Sequence, residues 1–402
     1  MADFYQTGVV STLHRLRAFD QTRIENELRN FAADYRIALV LPTLYSELQG
    51  PALGPILDVL ATVPYLNEIV ITIDRADAQQ FEHAKRYFAR LPQEHRLIWN
   101  NGPRIQALKT MIEENGLKLG SSGKGLSCWF AYGYILARRR SQVIALHDCD
   151  ILTYSREMLG RLCYPTSSPN IDLEFCKAFY ARVTDRMHGR VTRLLVTPLI
   201  RSLRSIVGQH PLLTYLDSFR YALAGEFSMR ADLARVIRIP SDWGLEVGVL
   251  AEVYRNCALN RIAQVEICET YDHKHQPLSA DDPSTGLLKM SIDITSCLLR
   301  TIASEGIEIS VGRLKTLLAQ YVRTAEDSIA RYYADAMING LEFDRHEEET
   351  AVAAFTKAIR IAGERFIEDP LGAPLIPNWN RITSAFPGFF GMLMEAVEED
   401  NR

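Results

Sequence analysis

The stretch Val143-Ile144-Ala145-Leu146-His147-Asp148-Cys149-Asp150 decides the fold. Four apolar residues run straight into two carboxylates spaced one residue apart. A short apolar run with so abrupt a polar boundary reads as a buried strand, with Asp148 and Asp150 just past its carboxyl end. Three similar runs precede it: Ile37-Ala38-Leu39-Val40-Leu41, stopping at Pro42; Ile69-Val70-Ile71-Thr72-Ile73, stopping at Asp74; and Arg96-Leu97-Ile98-Trp99. Residues 54–62, 78–90, 105–114 and 126–138 between them read as helices. Strands alternating with helices predict an α/β fold with a mainly parallel sheet and right-handed crossovers. Ligands bind such sheets beyond the carboxyl ends of the strands, where Pro42, Asp74 and Asp148 fall.

Outward from this core the pattern changes twice. Residues 152–276 read as loops and shorter elements, and after Pro277 the segments 287–304, 311–339 and 347–368 carry helical periodicity with few breakers. The expected division is an N-terminal helical segment 1–35, an α/β region 36–151, an acceptor-facing region 152–280 and a helical extension 281–402. Whether the last helices pack on their own sheet or on a second subunit is open at this level. The 402 residues exceed one ordinary domain of roughly 100 to 200 residues. With 47% hydrophobic and 23% charged residues the composition is that of a globular protein. A net charge of −4 gives no reason to expect nucleic acid as a partner. The seven cysteines include no CxxC pair, so neither structural zinc nor a disulfide framework is expected. Charged residues interrupt the first thirty positions and no run of about 18 apolar residues follows, which predicts no membrane span and a cytoplasmic location.

Several residues could carry chemistry. Asp148 and Asp150 at a strand end can reach a divalent ion and the diphosphate it accompanies, and oxygen ligands suit Mg2+ or Mn2+. A solvated turn or helix cap accounts for the same spacing. Lys124, in Gly123-Lys124-Gly125 before a helix, reads as a nucleotide contact or a solvated loop lysine; the P-loop spacing is absent. Gly189-Arg190-Val191-Thr192 combines a guanidinium, a hydroxyl and a glycine N–H, suited to phosphate or carboxylate, or forms a plain surface turn. Glu246, among glycines and aliphatics, is expected to be half-buried and to need sugar hydroxyls, a cation or an internal salt bridge. His273 and His275 share one loop; either a surface loop or one ligand added to the Asp150 ion fits. Cys149 reads as a small filler, and His147 as structural.

Taken in order, LPTL, GKG, DCD, GRVT, AGEF, DWGLEVG, IAQVEI and HKHQPL resemble the retaining GT-A glycosyltransferases that make glucosyl-3-phosphoglycerate, with the mannosyl-3-phosphoglycerate synthases close by. The resemblance spans 37–278 and extends to the helical C-terminus; its most specific block is 243–278. It implies a GT-A, Rossmann-like sheet and a metal-dependent hexosyltransferase of glucosylglycerate synthesis, a compatible-solute route. Pro42, Thr43 and Leu44 would cradle the nucleoside, Lys124 would approach the nucleotide, and Asp148 and Asp150 would hold the ribose and metal, with His273 completing the metal site. Cys149 and Glu47 fall among the donor positions, Glu47 displaced by about one residue from the family's acidic position. Gly189, Arg190 and Thr192 match the acceptor site, and Glu246 matches the carboxylate facing the sugar. The family's HRN reads His273-Lys274-His275 here, so a histidine replaces an acceptor-site asparagine.

The expected reaction moves glucose from a nucleoside-diphosphate sugar, UDP-glucose favoured, to the 2-hydroxyl of 3-phosphoglycerate with retention, in a homodimer. Mannose as donor sugar, glycerate as acceptor, and a non-catalytic sugar-nucleotide-binding regulator are the alternatives. The donor base, the preferred metal and the oligomeric state are open in the sequence.

Overall fold

The computed structural model describes residues 6, 8–273 and 282–402. Its centre is one eight-stranded sheet in the order β1-β8-β6-β7-β5-β2-β3-β4. The strands are β1 Ser11–Leu13, β2 Ile37–Leu44, β3 Leu66–Asp74, β4 His95–Trp99, β5 Val143–Leu146, β6 Phe175–Ala181, β7 Phe227–Arg230 and β8 Ile262–Thr270. Every neighbouring pair is parallel except those made by β7, which runs against both β5 and β6. The mainly parallel sheet expected from the apolar runs is therefore present, with one reversed strand inside it.

The unbroken apolar runs have a simple cause. Alternate residues of β2 leave on opposite faces, Ala38 and Val40 entering one core, Ile37, Leu39 and Leu41 the other. Both faces are covered, so neither can be polar. Strand β2 does not stop at Pro42 but pairs with β3 as far as Leu44. Its pairing with β5 ends at Val40, so beyond that point β2 is an edge on one side. A proline without an N–H is tolerated at such an edge. The first 35 residues hold the helix Gln21–Phe31 and also β1, which adds to the sheet beside β8. Between 152 and 276 the chain forms three further strands of the same sheet, where loops and short elements were expected.

The helix Lys124–Arg138 is apolar nearly all round, because it lies between the sheet and the C-terminal helices. Its Trp129 stacks on Trp379, with ring centroids 4.0 Å apart. Gly133 makes room for this: a Cβ there would stand 2.0 Å from Trp379. The helices Gly286–Ser304, Val311–Ile338 and Arg345–Glu368 bury Leu298, Tyr321, Phe355 and Ile359 in that same core. Tyr321 Oη donates to the Leu194 carbonyl at 2.7 Å. The C-terminal helices thus pack on their own chain. Among the described residues, no helix is long and apolar enough to cross a membrane, and the seven cysteines are free.

Candidate active site at the carboxyl edge of the sheet

Three parallel strands and the reversed one meet at a single edge. β5 ends in Asp148-Cys149-Asp150, β2 ends in Pro42-Thr43-Leu44, and β8 leads into His273. Because β7 is antiparallel, its amino end lies there too, with Phe227 opposite Leu146. Gly225 and Glu226 are therefore carried beside the paired aspartates.

Lys124 is the hub. Its ammonium lies 2.6 Å from Asp148 Oδ1 and 3.2 Å from Glu246 Oε1. Burial works against the charge, but Asp148 and Glu246 outweigh it and hold the lysine well above its ordinary pKa. Burial likewise opposes the Asp148 carboxylate, and Lys124 reverses the effect, holding its pKa below the usual value. Of the partners expected for Glu246, the internal salt bridge is present; the residue is buried in the first turn of the helix Leu245–Asn256.

Glycines set this geometry by close approach. A Cβ on Gly125 would stand 1.9 Å from the Pro240 carbonyl, and one on Gly123 would stand 2.6 Å from that of Ser241. The amino end of the Lys124 helix is thereby pressed against the segment leading to Glu246. Gly225 backs the other side, where a Cβ would lie 2.4 Å from Asp148 Oδ2 and 3.0 Å from Lys124 Nζ. Gly225→Ala is expected to push Asp148 and Lys124 apart, costing about 1–3 kcal/mol of stability and at least about tenfold in kcat. Melting temperature and initial rates measured together check this.

The remaining donor positions line the same edge. Thr43 is buried and its hydroxyl lies 3.0 Å from Cys149 Sγ, tying the ends of β2 and β5 together. Burial pushes the Cys149 thiol far up, so it is an uncharged spacer. Pro42 is half-buried and Leu44 exposed. Glu47 falls in the one-turn helix Tyr45–Gln49 that follows β2. His147 Nδ1–H donates to the Asp148 carbonyl at 3.0 Å, and Nε2 accepts from Tyr154 Oη at 2.8 Å; burial lowers its pKa to about 4. It is a neutral, structural histidine.

Asp150 and His273 form the second half of the site. An isolated bridge pairs Ile151 with His273, and Leu152 N–H donates to the Asp272 carbonyl at 2.9 Å. This brings His273 Nδ1 to 3.5 Å from Asp150 Oδ2. Asp150 Oδ1 is buried without a hydrogen-bond partner among the described residues. An orphaned carboxylate oxygen beside an imidazole fits a divalent ion, with further positions left to diphosphate and water. No group of three His, Cys, Asp or Glu residues that could hold a metal ion occurs among the described residues. His275 lies outside the described residues.

Behind these groups is a buried network that reading the sequence missed. Glu226, buried, accepts from Tyr180 Oη at 2.7 Å and Tyr271 Oη at 2.6 Å. Burial, with Asp148 nearby, raises its carboxyl pKa despite both tyrosines. Lys177, fully buried in β6, donates to the Ala224 carbonyl at 2.5 Å, and burial lowers its pKa to about 8 against the pull of Glu246 and Glu226. The only available signal was Glu226 within AGEF; Lys177 and Tyr180 sit in an ordinary apolar strand.

The GRVT segment lies further along. Gly189 has φ +73 and packs on Tyr221, whose ring continues through Tyr180 to Tyr271 beside His273. Arg190 opens a six-residue π-helical turn, Val191–Val196, a geometry often found at functional sites. Its Nε lies 2.7 Å from Glu348 Oε1, and its Nη2 contacts Glu347. Thr192 Oγ1 is buried with no hydrogen-bond partner among the described residues.

No family profile matches the chain. Over 401 residues it is 47% identical to the glucosyl-3-phosphoglycerate synthase of Persephonella marina, covering 100% of this chain and 99% of the relative. It is 40% identical over 403 residues to the enzyme of the same name from Methanococcoides burtonii, covering 99% and 98% of the two chains. The Mycobacterium tuberculosis glucosyl-3-phosphoglycerate synthase, solved with Mn2+, UDP-glucose and phosphoglyceric acid, superposes with a TM-score of 0.55 at 20% identity, over 75% of this chain and 89% of that one. At that identity the superposition speaks for the fold alone. Full-length identity to two relatives of one name, on a sheet that carries the expected residues at one edge, establishes that the chain belongs to the glucosyl-3-phosphoglycerate synthase family.

Proposed function

We propose that the protein transfers glucose from UDP-glucose to the 2-hydroxyl of 3-phosphoglycerate with retention, using a divalent ion. The observation that carries this reading is the convergence of Lys124, Asp148, Glu246, Asp150 and His273 at one sheet edge in a chain of this family. Asp150 and His273 would hold Mg2+ or Mn2+, which when bound neutralises charge on the leaving diphosphate. Pro42, Thr43 and Leu44 bound the nucleoside end, with Glu47 and Cys149 next to them in the chain. Lys124, cationic throughout the physiological range, offers a point charge to the diphosphate and keeps Asp148 and Glu246 in place.

Glu246, ion-paired to Lys124, acts as a ligand for sugar hydroxyls, and the sequence offers no strong nucleophile beside it. Attack is then from the front face: the acceptor oxygen bonds to C1 as the bond to the diphosphate oxygen breaks, and the acceptor proton passes to that departing phosphate. Gly189, Arg190, Thr192 and His275 hold the acceptor. A cytoplasmic location and a second copy as partner belong to the same proposal; sedimentation at twice the chain mass checks the latter.

Arg190→Ala tests the acceptor assignment. Loss of a charge-assisted contact to phosphate is worth about 1.5–3 kcal/mol, or roughly 10- to 100-fold in KM for 3-phosphoglycerate. The KM for glycerate should change far less. Equal changes for both acceptors would remove Arg190 from the phosphate site.

A further inference from the structure

The C-terminal helix Arg345–Glu368 reaches into the acceptor segment and places two adjacent carboxylates on its arginines. Glu348 bridges both guanidiniums, at 2.7 Å to Arg190 Nε and 2.8 Å to Arg193 Nη1. Among the described residues, the Glu347 carboxylate is ion-paired to Arg190 alone, at Nη2. Their exposures differ sharply: the Glu348 side chain is 5% accessible and that of Glu347 47%. Between them and the acceptor loop lies a cavity of about 540 Å³, lined by Arg186, Arg190, Arg193, Glu342, Glu347 and Glu348 among others. The loop and the C-terminal unit are joined directly, by a bridge between Arg186 and Glu342 and by the Glu342 N–H donating to the Asp185 carbonyl at 2.8 Å.

On the reading that Arg190 binds the acceptor, we propose that Glu348 is a positioning residue that aims Arg190 for the acceptor phosphate, while Glu347 is a displaceable carboxylate that holds the phosphate's place until the acceptor arrives. Four arginines, Arg186, Arg190, Arg193 and Arg345, face four carboxylates, Glu342, Asp344, Glu347 and Glu348, in the cavity, so it is close to neutral before the acceptor enters. A phosphorylated hydroxy acid brings two further anionic groups, which cannot be accommodated unless a carboxylate withdraws. Glu347 can withdraw, since it is half in water and its ion pair is of the weak, exposed kind. Glu348 cannot, because moving one member of a buried ion pair strands the others without a partner. Arg193 is fixed as well: its Nε donates to the His188 carbonyl at 2.9 Å and its guanidinium lies over the Tyr332 ring. Phosphate carries more charge and one more oxygen than carboxylate, so it takes the Arg190 Nη position from Glu347. The helical extension thus completes the acceptor site from 158 residues away.

Neighbouring glutamates are therefore expected to change acceptor affinity in opposite directions. Glu347→Gln should lower the KM for 3-phosphoglycerate about two- to fivefold, the range of an exposed ion pair. Glu348→Gln should raise it about tenfold or more, well beyond any change in the KM for UDP-glucose. Steady-state kinetics of both variants, with melting temperatures alongside, tests this. An unchanged or raised KM in Glu347→Gln overturns the displacement, and this exposed substitution poses no threat to folding. A Glu348→Gln enzyme whose melting temperature falls while acceptor and donor KM move together overturns the positioning role. Arg190→Ala separates the layers. If it leaves the KM for 3-phosphoglycerate unchanged, the acceptor reading itself falls; if it raises that KM while Glu347→Gln has no effect, only the displacement falls.

Discussion

Lys124→Ala is expected to lower kcat by about two to three orders of magnitude, the usual cost of removing a preorganised charge from a reaction centre. The reason lies in what the ammonium holds. Asp148 and Glu246 approach it at 2.6 Å and 3.2 Å, and without it two carboxylates face each other in a confined space. Stranding a partner of a buried ion pair costs about 3–5 kcal/mol, so the melting temperature should fall with the activity. Lys124→Arg is not expected to rescue the enzyme. A Cβ on Gly225 would already stand 3.0 Å from Nζ, and a planar guanidinium is wider than an ammonium. Initial rates with UDP-glucose and 3-phosphoglycerate check both variants. More than a tenth of the parent kcat in either would contradict the role given to this lysine.

Asp150→Ala should have an effect at least as large, about three orders of magnitude in kcat, because metal-assisted neutralisation of a leaving group is worth several kcal/mol. Its orphaned Oδ1 has no other described use. Binding gives a readout independent of turnover. Calorimetric titration of Mn2+ in the presence of UDP should show binding to the parent and none to Asp150→Ala, with His273→Ala weakened. Full activity or unaltered Mn2+ binding in Asp150→Ala would remove the metal from this position.

Much of this site was legible in the sequence because its parts are local. An apolar run ending in two aspartates, as at Leu146 to Asp150, reads as a strand end because three similar runs precede it in alternation with helices. GKG before a helix placed Lys124 correctly at a helix amino end. His273 was legible through its motif, although the Ile151 bridge that brings it to Asp150 spans more than a hundred residues and leaves no local trace. The missed groups share one cause. Strand β7 is antiparallel, so it presents its amino end at an edge where parallel strands present carboxyl ends. A reading that looks beyond carboxyl ends passes over Glu226. Lys177 and Tyr180 alternate within an apolar strand whose pattern shows burial but not what the buried polar atoms meet. Glu348 was invisible for a different reason: in the first turn of a surface-patterned helix it resembles any glutamate favouring a helix amino end. Only the tertiary fold sets it on Arg190.

The identity of the product tests the reaction most directly. The purified protein, given Mg2+, UDP-glucose labelled with 13C in the sugar, and 3-phosphoglycerate, should yield a labelled glucosyl-phosphoglycerate by mass spectrometry. Its anomeric coupling by NMR should match the α configuration of the donor, and chelation of the metal should suppress it. Product from glycerate alone, an inverted anomer, or no transfer despite donor binding would contradict the proposed reaction.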